Sequence, residues 1–95
     1  MPTLTGPLHL GIDIGTSGVR AIAIDGQGTP AAQVARAMPT PSNDGGAIVQ
    51  DPAIWWQTLD ATLLTLRTSI DPGRITSIAV DGTSGTLLLA DKAGR

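Results

Sequence analysis

Residues 8–25 read LHLGIDIGTSGVRAIAID, and the alternation within this stretch predicts two short β-strands joined by a tight turn. Apolar residues occupy every second position of residues 8–14. Gly15–Gly18, rich in glycine and hydroxyl groups, interrupts this alternation, and Val19–Ile24 resumes it with Arg20 as the polar exception. We therefore predict strands over Leu8–Ile14 and Val19–Ile24. The acid Asp13 stands directly before the turn, one residue from the end of the first strand.

The turn between these strands has the composition of a phosphate site. Its backbone N–H groups and the hydroxyl groups of Thr16 and Ser17 gather donors at one point, which suits a phosphate. Asp13 is placed to hold a hydrated Mg²⁺ beside that phosphate. An ordinary hairpin turn is the alternative interpretation, because Gly and Ser are common in turns. A P-loop is excluded by the absence of Gly-Lys-Ser/Thr, and a dinucleotide fingerprint by the strand that follows the turn.

The composition describes a small domain with an aliphatic core. The chain has 95 residues, 41% of them hydrophobic, with two Trp as the only aromatic residues and a net charge of -2. This length allows one domain at most. The charge gives no basic surface for a nucleic acid or an anionic membrane. The absence of Cys, of a signal peptide and of an apolar run near ~18 residues fits a cytoplasmic protein.

The rest of the chain predicts a third strand, a loop, a helix and a further pair of strands. Pro30–Met38 completes a three-stranded meander, although its many alanines are also compatible with a helix. Pro39–Val49 contains two Pro and two Gly and is predicted to be a loop. Ile75–Val80 is predicted to be a buried strand, and Thr86–Ala90 is predicted to pair with it or to run close by.

The helix is predicted to begin at Asp51 and to stop at Asp71–Gly73. Asp is a good N-cap, and Pro52 suits the first helical position because its missing N–H would have no partner there. One face is apolar at helical spacing and is predicted to pack on the sheet. That face consists of Trp55, Leu59, Leu63, Leu66 and Ile70, and the polar sides carry Thr58, Asp60, Thr62, Arg67 and Thr68. Trp56 is predicted to pack under the preceding loop.

Three stretches resemble the FGGY family of carbohydrate kinases, in the order and at roughly the spacing of that family. Gly11–Asp25 is similar to the first phosphate-binding hairpin of the actin-like ATPase superfold. Gln50–Trp56 resembles the family's acid-Pro-x-x-Trp-Trp helix start, and Ile75–Asp91 resembles the strand–loop–strand that follows. The resemblance implies an α/β fold of the RNase H-like or actin-like ATPase type. The expected half-domain has an antiparallel β-meander, one helix and a further strand pair, and it is expected to be incomplete in this chain.

The same resemblance implies an ATP- and Mg²⁺-dependent transfer of the γ-phosphate of ATP to a sugar hydroxyl. The Gly-Thr-Ser-Gly-Thr sequence of the second loop is similar to pentulose kinases, so the expected sugar is D-ribulose or D-xylulose. The resemblance implies that Asp13 is the acid that binds Mg²⁺. The implied cofactor-binding residues are Asp13, Gly15, Thr16, Ser17 and Arg20, and the implied substrate-binding residues are Asp81, Gly82, Thr83 and Ser84. Arg20 fits equally well as a strand arginine paired with an acid.

The second Gly-Thr-Ser-Gly, at Gly82–Gly85, also follows an apolar strand and an acid, here Asp81. A polyol needs converging donors and acceptors, and this segment supplies a carboxylate, two hydroxyls and backbone groups. In xylulose kinases the matching loop is Gln-Met-His-Gly, so the identity of the sugar stays open. The alternative is a polar turn that binds no ligand.

The resemblance also implies that residues 1–95 are a truncated N-terminal part of the kinase's N-terminal domain. No catalytic base is expected within them, so this chain alone is expected to be inactive. It is expected to self-associate through an unpaired edge at Thr86–Ala90, and the parent enzyme is expected to be a homodimer. Two alternatives stay open: another actin-like ATPase, of the chaperone or filament type, and a non-catalytic binding or assembly module.

Overall fold

A mixed four-stranded sheet carries one helix on one of its faces. The computed structural model describes residues 6–15, 17–39, 42–45, 47–49, 51–82 and 92–93. Its elements in chain order are β1 Leu8–Ile14, β2 Gly18–Ile24, β3 Pro30–Ala37, β4 Ser42–Asp44, β5 Ala47–Val49, α1 Pro52–Leu66, a short 3₁₀ helix Pro72–Arg74, and β6 Ile75–Gly82. This architecture confirms the α/β fold class predicted from the sequence.

The three N-terminal strands form the predicted antiparallel meander, and β6 joins it from the other side. The strand order is β3-β2-β1-β6, with β1 antiparallel to β2 and parallel to β6. The alternation explains the packing, because successive side chains of a strand point to opposite faces of the sheet. The buried cluster around Leu66 of the helix consists of Leu10, Ile12, Val19, Ala21 and Met38, and Leu8 is also buried.

Helix α1 begins where the sequence predicts. The Asp51 carboxylate accepts a hydrogen bond of 2.9 Å from the N–H of Ala53, and Pro52 occupies the first turn. The helix lies over β2 and β3, and Leu66 is 2% exposed at its core-facing end. The predicted apolar face therefore packs on the sheet. The helix ends at Leu66, before the predicted stop, and Asp71 instead caps the 3₁₀ helix.

Two side chains of α1 differ from the prediction. Thr62, assigned to a polar side, is fully buried, and its hydroxyl donates a 2.7 Å hydrogen bond to the carbonyl oxygen of Thr58. That bond satisfies the hydroxyl group within the helix, so burial leaves no unpaired polar atom. Trp56 is 68% exposed and is not buried under the preceding segment.

The prediction of a loop over Pro39–Val49 is wrong in part. β4 and β5 form a small antiparallel hairpin there, with Asn43 opposite Ile48. Gly45, in the turn, has a φ of +59°, a backbone conformation that glycine adopts without steric cost. The glycine that signalled a loop thus serves as the turn of a hairpin.

Strand β6 is present as predicted, but the prediction that it is buried is wrong. Ile78 and Val80 are 62% and 61% exposed, because α1 covers β2 and β3 and leaves β6 open. The predicted strand at Thr86–Ala90 lies outside the described residues. Within the described part of the chain, no helix has the length and apolar character needed to cross a membrane.

Candidate functional site

The candidate site lies on the sheet face opposite α1, where the parallel strands β1 and β6 end. Asp13 of β1 stands opposite Asp81 of β6 and, on its other side, opposite Arg20 of β2. Neighbouring residues across strands share one face of a sheet. Three adjacent strands therefore place two carboxyl groups and one guanidinium group in a row.

The orientation of this row follows from the period of the strands. Ile12 and Ile14 contribute to the core beneath α1, so Asp13 between them points to the opposite face. That face is open in the described residues: the Asp13 side chain is 47% exposed and the Arg20 side chain 74% exposed. Both groups are thus accessible to a ligand without a rearrangement of the core.

The charges of the row are only partly balanced. The Arg20 Nε atom lies 3.6 Å from Oδ2 of Asp13, an exposed ion pair that contributes little to stability. The pKa of Asp81 is raised above its ordinary value, chiefly by a side-chain hydrogen bond with Asp13, then by desolvation and by the negative charge of Asp13, whereas Arg20 lowers it. Two carboxyl groups can form a hydrogen bond with each other only when one carries a proton, and the raised pKa of Asp81 reflects that requirement.

The glycine-rich turn after β1 is held in place from two sides. The N–H of Gly15 donates a 2.9 Å hydrogen bond to the carbonyl oxygen of Gly18, and the carbonyl oxygen of Ser17 accepts one of 2.9 Å from the N–H of Met38. Gly18 also lies against β3, where a Cβ atom would stand 2.5 Å from the carbonyl oxygen of Arg36. Only glycine fits this approach, so the turn is anchored beside Asp13.

Two shallow depressions meet at the Asp13–Arg20 pair. One, of about 350 Å³, lies beside the turn and is lined by Asp13, Gly15, Ser17, Gly18 and Arg20 together with Val19, Ala35, Arg36 and Ala37. The other, of about 340 Å³, lies on the open sheet face and includes Asp13, Arg20, Gln33 and Asp81 in its lining. The ion pair thus separates the space beside the turn from the space beside β6.

The structure brings together most of the described residues that the sequence singled out. Asp13, Gly15, Ser17 and Arg20 line the same depression, and Asp81 joins Asp13 and Arg20 in the second. Gly82 pairs in register with Ile14 at the end of β1. Thr16, Thr83 and Ser84 lie outside the described residues.

Sequence reasoning did not identify two features of this site. One is the placement of Asp81, an expected sugar-binding residue, directly opposite Asp13 in the sheet. The signal in the sequence is the acid that precedes each Gly-Thr-Ser-Gly, and it becomes informative once β1 and β6 are known to be neighbours. Gln33 lines the open-face depression, and nothing marks it in the sequence beyond its place in an alternating strand.

The donor set of the site fits a magnesium ion that is shared with a phosphate. Mg²⁺ prefers oxygen ligands and is commonly bound through one or two carboxylates, with water and substrate phosphates completing its shell. Asp13 and Asp81 supply two such carboxylates side by side.

Comparison with known proteins identifies the family. A model of the FGGY family of carbohydrate kinases, N-terminal domain, matches residues 8–95. The chain therefore belongs to the FGGY family of carbohydrate kinases. The resemblance of the three sequence stretches is confirmed.

Solved structures of kinases share this fold. A xyloylose kinase from Brucella ovis is 31% identical, with a TM-score of 0.81 over 93% of this chain and 19% of that chain. A xylulose kinase from Rhodospirillum rubrum is also 31% identical, with a TM-score of 0.76 over 90% of this chain and 18% of that chain. A gluconate kinase from Lactobacillus acidophilus, 21% identical with a TM-score of 0.82 over 96% of this chain and 18% of its own, shows the fold alone. The chain spans about one fifth of the length of these kinases.

Proposed function

We propose that this chain is the N-terminal segment of an ATP-dependent carbohydrate kinase that transfers the γ-phosphate of ATP to a hydroxyl group of a sugar. The observation that carries the proposal is the row of Asp81, Asp13 and Arg20 beside the anchored turn. This row places two carboxylates and a guanidinium group beside a turn of phosphate-binding type. All of them lie at the carboxyl ends of parallel strands, where ligands of α/β sheets commonly bind.

The roles of the residues follow from their chemistry. Asp13 and Asp81 would hold Mg²⁺, which neutralises phosphate charge and orients the phosphates when it is bound. Binding of the ion would compete with protonation of Asp81, whose pKa is raised. Arg20 presents a planar guanidinium, 74% exposed, at the border of both depressions, and it would turn from Asp13 to a phosphate oxygen. The turn would contribute backbone N–H groups, together with the hydroxyl groups of Thr16 and Ser17.

The sugar is proposed to lie beside the segment that follows β6. Gly82, Thr83 and Ser84 would bind its hydroxyl groups, and Asp81 connects this segment to the phosphate side. A pentulose such as D-ribulose or D-xylulose is the proposed substrate, supported by the 31% identity to the xylulose kinase from Rhodospirillum rubrum. We assign no general base to residues 1–95; transfer would rest on positioning and on charge neutralisation by this segment.

Sugar-dependent turnover of ATP tests the proposal. The kinase that carries this chain would be assayed with D-ribulose, D-xylulose, glycerol and gluconate, with and without Mg²⁺, alongside Asp13→Asn and the matched control Asp60→Asn. Asp60 is an exposed acid on α1, remote from the turn. We expect Mg²⁺-dependent ADP release with a pentulose, lost in Asp13→Asn and retained in the control. ATP turnover that no sugar stimulates would contradict the kinase assignment.

A further inference from the structure

The open sheet face carries a second row of residues directly beside the charged row that contains Asp13. Its members pair in register across four strands: Gln33 of β3, Ile22 of β2, Gly11 of β1 and Ala79 of β6. Three of them lie two positions along their strands from Arg20, Asp13 and Asp81, so both rows share the face opposite α1. We call the four uncharged residues the neutral row.

The neutral row forms the floor of the depression of about 340 Å³ on this face. Gly11 and Ala79 stand side by side, and their small size leaves space above the backbone next to Ile22. A Cβ atom at Gly11 would stand 3.3 Å from Cγ2 of Ile22, a tight contact, so glycine keeps this part of the floor low. The floor is therefore apolar and shallow, and the charged row borders it along one side.

Gln33 supplies a polar group at the β3 side of the depression. Its side chain is exposed and, among the residues that the structure describes, forms no hydrogen bond. A carboxamide offers an acceptor and two donors, so it can bind a hydroxyl group in either direction. Strand β3 lies two strands from β1, about 10 Å away, and a ligand that contacts both Asp13 and Gln33 must therefore extend across the sheet.

This combination of surfaces suits a polyol. A sugar has C–H groups that can pack on an apolar floor and hydroxyl groups that need donors and acceptors at its edges. A further anionic group is disfavoured, because two carboxyl groups border the depression against one guanidinium group. A wholly apolar ligand is disfavoured as well, since it would cover Asp13 and Arg20 without replacing their hydration.

We propose that the neutral row is the subsite for the carbon chain of the sugar and that Gln33 is a specificity-determining residue, which binds a hydroxyl group remote from the one that is phosphorylated. This inference rests on the proposed kinase function. The reacting hydroxyl group lies at Asp13, on the phosphate side of the depression. The carbon chain extends from there over Ile22 towards β3, a span that five carbon atoms and the Gln33 side chain cover together.

Sugar binding by the kinase that carries this chain tests the subsite. Isothermal titration calorimetry with D-xylulose and D-ribulose gives the Kd for the sugar, and steady-state kinetics give kcat/KM for the sugar and the KM for ATP. Gln33→Ala should weaken sugar binding about three- to tenfold, the effect of one lost hydrogen bond between neutral groups, with the KM for ATP nearly unchanged. Gln27→Ala, the same substitution in the turn between β2 and β3, is the matched control.

A second variant fills the floor of the depression. Ala79 is exposed on β6, so Ala79→Leu places a larger side chain in the depression without repacking the core, and sugar binding should weaken about tenfold or more. Ala53→Leu makes the same enlargement at an exposed position of α1 and should leave sugar binding unchanged. Circular dichroism verifies that each variant keeps its fold.

The possible results separate the subsite from the kinase function. Sugar binding that both Gln33→Ala and Ala79→Leu leave unchanged would overturn the subsite while the kinase function stands. A higher KM for ATP with unchanged sugar binding would also overturn it, and would assign the depression to the nucleotide. A starting kinase that neither binds a sugar nor turns over ATP in its presence would overturn the kinase function and the subsite together.

Discussion

Asp13 and Asp81 occupy matched positions on the neighbouring parallel strands β1 and β6, and the interaction of Asp81 with Asp13, hydrogen bonding foremost, raises the pKa of Asp81. The two residues are far apart in sequence and stand side by side only because β1 and β6 are neighbours in the sheet. A hydrogen bond between two carboxyl groups requires that one of them carries a proton. A divalent cation that binds both carboxylates would compete with that proton, which makes the pair the most informative place for experiments.

The pKa of Asp81 predicts how stability depends on pH in the absence of a cation. Its pKa is raised in the folded protein from an ordinary value of 3.8, so the folded state holds this proton more tightly than the unfolded state. The contribution of Asp81 protonation to the free energy of unfolding is therefore greatest below the pKa of the unfolded state. It is lost as pH rises through the raised pKa of the folded state, and it stays absent above that pKa.

Asp81→Asn removes this dependence, because an amide does not titrate. We expect the variant to gain stability relative to the starting protein as pH rises, with the difference vanishing in acid below the unfolded pKa. Urea midpoints measured between about pH 3 and pH 8 give the comparison, with Asp60→Asn as the control that changes charge away from the site. A variant that loses relative stability as pH rises would contradict the raised pKa.

Asp13→Ala should impair catalysis more than sugar binding in the kinase that carries this chain. If Asp13 acts on Mg²⁺ and phosphate charge, its loss removes stabilisation of the transferred phosphoryl group, so kcat should fall about 10²-fold or more while the KM for the sugar changes little. Steady-state kinetics with varied sugar and ATP measure both values. Full activity in this variant would refute the site assignment, and Asp60→Ala serves as the charge-matched control.

Gly18 should tolerate no side chain, since a Cβ atom there would stand 2.5 Å from the backbone carbonyl oxygen of Arg36. Backbone cannot move aside as a flexible side chain does, so we expect Gly18→Ala to lower the free energy of unfolding by about 1–3 kcal/mol. Gly26→Ala is the matched control, because a Cβ atom at Gly26 meets nothing within 4 Å. Denaturant unfolding measures the stability of both variants. Equal stability would contradict the prediction, because it would mean that β2 and β3 can move apart at Gly18 without loss of free energy of unfolding.

The elements that depend on local sequence were predictable. The alternation in residues 8–25 gave β1 in full and β2 to within one residue, because strand period and turn residues act over a few positions. The start of α1 was equally readable, since Asp51 and Pro52 are an N-cap and a first-turn residue. The hairpin β4–β5 was missed because Gly45 and its neighbours signal turns without indicating what they connect.

Features that depend on distant parts of the chain were not predictable. The placement of Asp13 beside Asp81 requires both that β6 pairs with β1 and that their register carries no offset at this point. The exposure of Ile78 and Val80 depends on where α1 lies on the sheet, which periodicity does not specify. The burial of Thr62 likewise depends on packing, since its hydroxyl can be satisfied within the helix.

Asp51 should contribute measurably to the stability of α1. Its carboxylate accepts the hydrogen bond from the N–H of Ala53, one of the donors that have no partner within the helix. We expect Asp51→Ala to cost about 1 kcal/mol in the free energy of unfolding. Asp60→Ala, an exposed mid-helix change on the same element, should be nearly neutral by comparison. A result in which both variants lose the same stability would indicate a general effect of charge.

The segment after β6 should set the preference among sugars. We expect replacement of Gly82, Thr83 and Ser84 by Gln, Met and His, the residues of the xylulose kinase loop, to change the ratios of kcat/KM among pentuloses. The physical reason is that hydroxyl groups of the substrate would lose or gain partners on this segment, and an unpaired buried polar group is costly. The KM for ATP should change little, provided that Asp81 is retained beside Asp13.

Kinetics with D-ribulose and D-xylulose, each at saturating and limiting ATP, measure both the ratios of kcat/KM and the KM for ATP. If the sugar ratios stay constant while the affinity for ATP falls, the segment belongs to the nucleotide side of the site, and Asp81 and Ser84 would then act together on phosphate.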